Sequence, residues 1–214
     1  EREFDSPNLI TCLFDLARTE DIAYFIGAIL REHGPITHLV NNAGTWDLKQ
    51  ITELDDASWD LIFAVNVKAP FILTRELAPV IKSSGGGAIV NIVSRNAFRS
   101  STRNSAYDAS KAALLALTRT AAGELAASGI RVNAVCPGMI HTPPNDALVE
   151  HELFHDVYRK LIPMNRFGTP EEIVPLYREA IREIDRVLKP GGVGVFLVAE
   201  ATVMKDAIRR VSWE

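Results

Sequence analysis

Cysteine is scarce: only Cys12 and Cys136 occur in a chain of 214 residues. A framework of disulfides is therefore not what organises the chain. Both cysteines lie in apolar runs that read as strands, so both are expected to be buried, free thiols. Long apolar runs are also missing. None approaches the ~20 residues that a membrane-crossing helix needs. No block of like charge occurs either. With 23 Lys and Arg against 27 Asp and Glu, the formal net charge is −4, and neither a nucleic-acid surface nor an anionic-membrane surface is expected. No charged-then-apolar leader opens the chain, so secretion is not expected and a cytoplasmic location is. The first residue is not Met, which fits processing or a fragment. Internal repeats and low-complexity tracts are absent.

What is present is an alternation. Hydrophobic residues make up 47% of the chain, enough for one domain with a real core. "NLITCLF" (Asn8–Phe14) reads as a strand. "TEDIAYFIGAILREHG" has helical spacing, with Ile22, Phe25, Ile26, Ile29 and Leu30 on one stripe and Gly34 as the stop. "THLVNNAG" reads as a strand ending in a turn. A long helix is expected over Ser58–Lys82, a strand over "GAIVNIVS", a helix over Ser105–Ala127 and a strand over "IRVNAVCPG". A helical lobe, "DALVEHELFHDVYRKL", follows a Pro-rich loop. Then comes a helix opened by Thr169 as N-cap and Pro170 at the first position. "VGVFLVA" is a last strand, and a short helix closes the chain. Strands that are apolar on both faces and alternate with helices predict an α/β domain: a doubly wound, mostly parallel sheet of Rossmann type with helices on both faces. The domain spans 1–214, with 141–168 as a lobe and 176–214 as a C-terminal extension.

In such a sheet, ligands bind beyond the carboxyl ends of the strands. The residues there are Asp15, "NNAG" (Asn41–Gly44), Ser94 and "PG" (Pro137–Gly138). Tyr107 and Lys111 open the helix that follows Ser94. Positions four apart share a helix face, so a cation sits one turn from a phenol. Reducing a carbonyl leaves an alkoxide that needs a proton, and a phenol of pKa ~10 is a poor partner at neutral pH. A nearby ammonium favours the phenolate and is expected to lower that pKa. Pro70 lies four residues after Asn66 inside the predicted helix, and it has no N–H for the Asn66 carbonyl.

Taken together, "NNAG", Asn66 in "FAVNVKAPF", Ser94, "YDASK", "VNAVCPGMIHT" and "RFGTPEEI" resemble the short-chain dehydrogenase/reductase family over roughly Asn8 to Val174. The resemblance implies an NAD(P)-dependent oxidoreductase that interconverts a secondary alcohol and a ketone. It implies Tyr107 as acid/base, Lys111 tuning it and holding the nicotinamide ribose, Ser94 on the substrate oxygen, and Asn66 in a proton relay. It places NAD or NADP against Asp15, Asn42, Ala43, Gly44, Tyr107, Lys111, Pro137, Gly138, Ile140 and Thr142. It also implies a homodimer or homotetramer, built on the two long helices through Phe63, Val67, Phe71, Leu114, Leu117 and Ala121.

Two departures stand out. The family's glycine-rich phosphate loop does not occur in these residues, and the first strand read here corresponds to the family's third. The strands not represented would lie between Asn8–Phe14 and Thr37–Asn41, so the sheet is expected to carry a gap or to be rearranged, and cofactor binding to be weak. The late "RVLKPGG" is similar to the helix–turn–strand of class I methyltransferases, but no loop for a methyl donor accompanies it. "GGVG" (Gly191–Gly194) precedes a strand and so lacks the phosphate-loop context. "HELFH" matches a zinc-protease pattern, with His151, His155, Glu152 and a third ligand from Glu171 or Glu172. A solvated lid helix is the preferred reading, and no metal is expected. The alternative to catalysis is a remnant fold acting only in assembly.

Overall fold

The structure, a computed structural model, describes residues 10–141, 159–169, 172 and, as backbone, 193–197. Four parallel strands form one sheet in the order β3-β2-β1-β4: β1 is Ile36–Asn41, β2 Gly87–Ile92, β3 Ile130–Val135 and β4 Val193–Leu197. The register pairs Leu39 with Ile89, and Ile89 with Val132. These residues are buried and lie in one row of the core.

Helix α1 (Ile22–His33) buries Ile22 and Ile26 against that core. Side chains of this kind stabilise by about 1.5–3 kcal/mol each when removed from water. Gly34, at φ 86°, ends the helix and donates its N–H to the Leu30 carbonyl at 3.1 Å. The predicted long helix is in fact three pieces: α2 (Asp56–Phe63), a π-helical turn (Ala64–Lys68) and α3 (Ala69–Ser83). Asp55 caps α2 by accepting the Ser58 N–H at 2.8 Å. The π turn is how the chain accommodates Pro70. The Ala69 N–H reaches back to the Ala64 carbonyl, one residue further than in an α-helix. Helix α4 (Ser105–Leu125) carries the Tyr–Lys pair and ends in a 3₁₀ turn (Ala126–Ser128).

The strands lie close to one another and to their helices. A Cβ on Gly87 would stand 1.9 Å from the Thr37 carbonyl oxygen and 2.8 Å from Ile81 Cγ2, so only glycine fits. Helices α1, α3 and α4 share the core cluster on one face of the sheet. Among the described residues no helix lies on the second face, so the helices expected there are not among those described; Val40, Ala88 and Val90 on that face are buried.

Three expectations are corrected. Residues 10–14 form no strand. Phe14 stacks on Phe25 of α1 at 4.3 Å between centroids, so this segment packs by its aromatic ring rather than by sheet pairing. Cys12 is therefore exposed, and Cys136 is half-buried. Of the two alternatives for the edge beside β1, a gap or a rearranged sheet, the structure has the second: β4 pairs there in parallel, from Ile36–Val193 to Asn41–Leu197. Finally, Leu114 and Ala121 belong to the core and are not available to pair with another chain, whereas Phe71 is exposed. Among the described residues, no helix is long and apolar enough to cross a membrane.

Of the helix predicted over residues 146–161, only 159–161 are described, and 159–160 are helical. Residues 146–158, which include the "HELFH" segment, and the closing helix lie outside the described residues, and of the helix after Pro170 only Glu172 is described. Thr142, Glu171 and Gly191 also lie outside them. The flanks of the lobe are described. Gly168 pairs with Ile140, the His141 N–H donates to the Gly168 carbonyl at 2.9 Å, and the Gly168 N–H to the Met139 carbonyl at 3.0 Å.

Candidate active site

Three strand ends converge. The loop after β1 carries Asn42, Ala43 and Gly44, all half-buried. The segment after β2 carries Ser94, and the one after β3 carries Pro137 and Gly138. The Arg95 N–H donates to the Pro137 carbonyl at 3.0 Å, which ties the second loop to the third. Below them, a polar ladder crosses the sheet: Asn41 Nδ2 donates to Asn91 Oδ1 at 2.7 Å, and Asn91 Nδ2 to Thr118 Oγ1 at 2.8 Å. Asn41 thus ties neighbouring strands.

Asn66 is fully buried in the π turn. Its Oδ1 accepts the Thr45 N–H at 2.9 Å, and its Nδ2 donates to the Thr45 carbonyl at 2.9 Å and to Ser110 Oγ at 3.0 Å. Ser110 in turn donates to the Tyr107 carbonyl at 2.7 Å. Asn66 is therefore clamped between the β1 loop and the first turns of α4. Ser110, which was not singled out from the sequence, is the link. Its signal was modest: a small polar residue beside Lys111, buried where an alanine would pack as well.

Lys111 is 4% exposed. Its Nζ donates to the Ile92 carbonyl at 2.9 Å and lies 5.6 Å from the centroid of the Tyr107 ring. Burial pulls its pKa down to about 8. A Cβ on Gly44 would sit 3.4 Å from both Lys111 Nζ and Asn66 Oδ1, so the β1 loop passes directly over these two groups.

The Ser94 hydroxyl lies beside the Tyr107 phenol, near enough to lower its pKa. The net pKa of the phenol is nevertheless raised, not lowered as expected. Burial is the largest cause, the Asp108 carboxylate adds to it, and the Ser94 hydroxyl opposes it. The physical reason is placement. The ammonium sits over the ring and is bound to a backbone carbonyl, so removal from water dominates at the phenol oxygen.

Asp108 is buried. Burial raises its pKa, while donors from Ser101 and Asn96 and the Arg95 charge oppose the shift. Asp15 lies apart from this cluster. Its carboxylate accepts the Ala17 N–H at 2.9 Å, capping its own turn. Ile140 is half-buried beside Gly168. The structure thus brings Asn66, Ser94, Tyr107 and Lys111 together beneath the Asn42–Gly44 loop, with Pro137 tied to the same edge. Glu172, the third zinc ligand considered, is held by Arg166 at 2.6 and 2.7 Å. Among the described residues, no group of three or more His, Cys, Asp and Glu is placed to hold a metal ion.

Residues 2–178 match the Enoyl-(Acyl carrier protein) reductase family. The D-beta-hydroxybutyrate dehydrogenase of Rhizobium meliloti is 34% identical over 172 residues, covering 76% of this chain and 67% of that protein. Among solved structures, a 4-hydroxyisoleucine dehydrogenase complexed with NADH is 29% identical with a TM-score of 0.75, covering 88% of this chain and 77% of the other. A gluconate 5-dehydrogenase from Burkholderia cenocepacia, in complex with NADP and tartrate, is 27% identical with a TM-score of 0.73, covering 86% and 72%. This chain spans 62% to 67% of the length of the first curated relatives it matches. With one family matched over residues 2–178 and this level of identity, the chain belongs to the short-chain dehydrogenase/reductase family.

Proposed function

We propose that this protein is an NAD(P)-dependent oxidoreductase that interconverts a secondary alcohol and a ketone, with Tyr107 as the proton donor and acceptor. The carrying observation is the convergence of the Ser94 hydroxyl, the Tyr107 phenol and the Lys111 ammonium at one sheet edge. NADH- and NADP-bound relatives support the cofactor class.

The residues present fit a nicotinamide nucleotide. Lys111 is a buried ammonium with three N–H groups and one described acceptor, which suits ribose hydroxyls. Gly138 has no atom within 4 Å of where a Cβ would stand, which leaves room beside the Pro137 backbone. Lys111 and Tyr107 would hold the ribose, Asn42–Gly44 would pass along the dinucleotide, and Pro137, Gly138, Ile140 and Thr142 would hold the carboxamide side, with Asp15 toward the adenine. When bound, the nicotinamide supplies the hydride chemistry.

The protein's own residues handle the proton. At neutral pH the Tyr107 phenol is protonated, because its pKa lies above the ordinary value of 10.0. It is therefore ready to donate to an alkoxide as negative charge develops on the substrate oxygen. Ser94 Oγ accepts the Asn96 N–H at 3.1 Å, so the hydroxyl proton is directed outward, toward the phenol or the substrate oxygen. Lys111 stabilises the phenolate left behind and Asn66, clamped below, keeps the β1 loop in register with α4. Assembly as a homodimer or homotetramer, with the exposed Phe71 on α3 in the contact, is part of the same proposal and is read by sedimentation.

The test is a panel of secondary alcohols and 2-ketones assayed at 340 nm with NAD(H) and NADP(H). Turnover by the wild type is expected. Tyr107→Phe should lose about 10²- to 10⁴-fold in kcat, the usual worth of a positioned general acid, with cofactor affinity by calorimetry nearly unchanged. Undiminished turnover by Tyr107→Phe would refute the assignment.

A further inference from the structure

The ten residues from Arg95 to Asn104, between Ser94 and helix α4, close on one buried carboxylate. Asp108 Oδ1 accepts Asn96 Nδ2 at 2.6 Å and Asn104 Nδ2 at 3.2 Å, and Oδ2 accepts the Ser101 N–H at 2.6 Å. Asn96 is the turning point. Its side chain reaches Asp108, and its backbone N–H donates to Ser94 Oγ at 3.1 Å. The Ser94 hydroxyl in turn lies beside the Tyr107 phenol and acts on its acidity. The path therefore runs from the carboxylate to the Asn96 carboxamide, through the Asn96 backbone N–H to the Ser94 hydroxyl, and on to the neighbouring phenol. It starts on the residue next to Tyr107 and returns to the Tyr107 ring through the loop.

An ordinary first-turn aspartate on a helix faces solvent and favours the helix dipole. Asp108 is 6% exposed instead. Burying a carboxylate is costly unless donors surround it, and this one has three from a single loop. We propose that Asp108 is a positioning residue: acting through Asn96, it sets the orientation of the Ser94 hydroxyl beside the Tyr107 phenol. This rests on the proton-transfer reading above. It goes beyond it by making the loop geometry, and hence the acidity of the reacting pair, depend on a group that touches neither substrate nor cofactor.

The chemistry of the donors shapes the test. Asp108 is an acceptor surrounded by donors, with the Arg95 guanidinium and the Tyr107 phenol as the titratable neighbours. Asp108→Asn puts an NH₂ against one of the donors. The exchange Asn96→Asp with Asp108→Asn reverses the donor and acceptor across the same contact and keeps the net charge. Asn96→Ala cuts the path at its middle and leaves Ser101 and Asn104 on the carboxylate.

Two readouts are taken on the full chain: hydrogen exchange of the amides at positions 96 and 101, and steady-state kinetics with the alcohol turned over by the wild type. In Asp108→Asn, exchange at 96 and 101 should accelerate about 10-fold or more while the core of α4 stays protected. Loss of a hydrogen bond to a charged group should lower kcat about 10- to 100-fold with both KM values within about 3-fold. The exchanged pair should restore both readouts. Asn96→Ala should lower kcat similarly while position 101 keeps its protection, and it decides the matter if Asp108→Asn does not fold. Unchanged exchange at position 96 in Asp108→Asn, or protection restored in the exchanged pair without recovery of kcat, would overturn the proposal. If the wild type turns over no alcohol, the functional reading fails, and exchange at position 96 still supports or overturns the positioning role.

Discussion

Lys111→Met separates stability from catalysis. In the folded chain the Lys111 ammonium is 4% exposed and has one described hydrogen bond, to the Ile92 carbonyl. Its pKa falls from 10.5 to about 8. At about 1.4 kcal/mol per unit, keeping the charged form buried at pH 7 costs about 3 kcal/mol. Methionine fills a similar volume without charge. It forfeits the hydrogen bond to Ile92, worth about 1 kcal/mol. The net expectation is a gain of about 2 kcal/mol at pH 7, or roughly 4–8 °C in Tm for a chain of this size, together with loss of turnover. The pH dependence fixes the cause. Between pH 8 and 10.5 the folded chain has already released this proton, while the unfolded chain still holds it. Wild-type stability therefore rises with pH across that window, and the gap to Lys111→Met closes. Urea unfolding of both proteins at pH 7, 8, 9 and 10 measures it. A variant less stable than wild type at pH 7, or a gap that does not change with pH, would refute the reasoning.

Three further outcomes are expected. His38 is 1% exposed, its Nε2 has no partner among the described residues, and burial pulls its pKa to about 4. As pH falls from 6.5 toward 4 the unfolded chain takes up a proton the folded chain refuses, so wild type should lose about 2 kcal/mol between pH 7 and 5, and His38→Val should flatten this part of the urea-unfolding profile. Gly87→Ala forces a Cβ to 1.9 Å from the Thr37 carbonyl oxygen and should destabilise by about 3 kcal/mol in thermal unfolding. Gly138→Ala meets nothing within 4 Å, so its stability should stay within about 0.5 kcal/mol of wild type, while NADH or NADPH affinity by calorimetry drops because the new methyl takes space left for the cofactor.

The sequence by itself determined the strand-end motifs and the helix that carries Tyr107 and Lys111. These are local: an i, i+4 pair on α4, an asparagine four residues before Pro70, small residues after β1. Local spacing alone was weak; it was the ordered motifs, through their resemblance to a family, that named Asn66, Ser94, Tyr107 and Lys111 as a group, and only the tertiary structure could bring them to one sheet edge. It also decided four matters that no local pattern contains. Residues 10–14 have a strand's composition but no pairing partner among the described residues, and Phe14 stacks on Phe25 instead. The edge beside β1 is taken by Val193–Leu197, more than 150 residues away in sequence, because an unpaired strand edge accepts whichever segment can complete its hydrogen bonds. The missing proline N–H is absorbed by a π turn rather than by a sharp kink. The acidity of Tyr107 is set chiefly by how deeply the phenol is buried, with the Asp108 carboxylate raising its pKa and Ser94 opposing. Charge, spacing and periodicity travel with the sequence, whereas desolvation and hydrogen-bond partners exist only once distant segments pack.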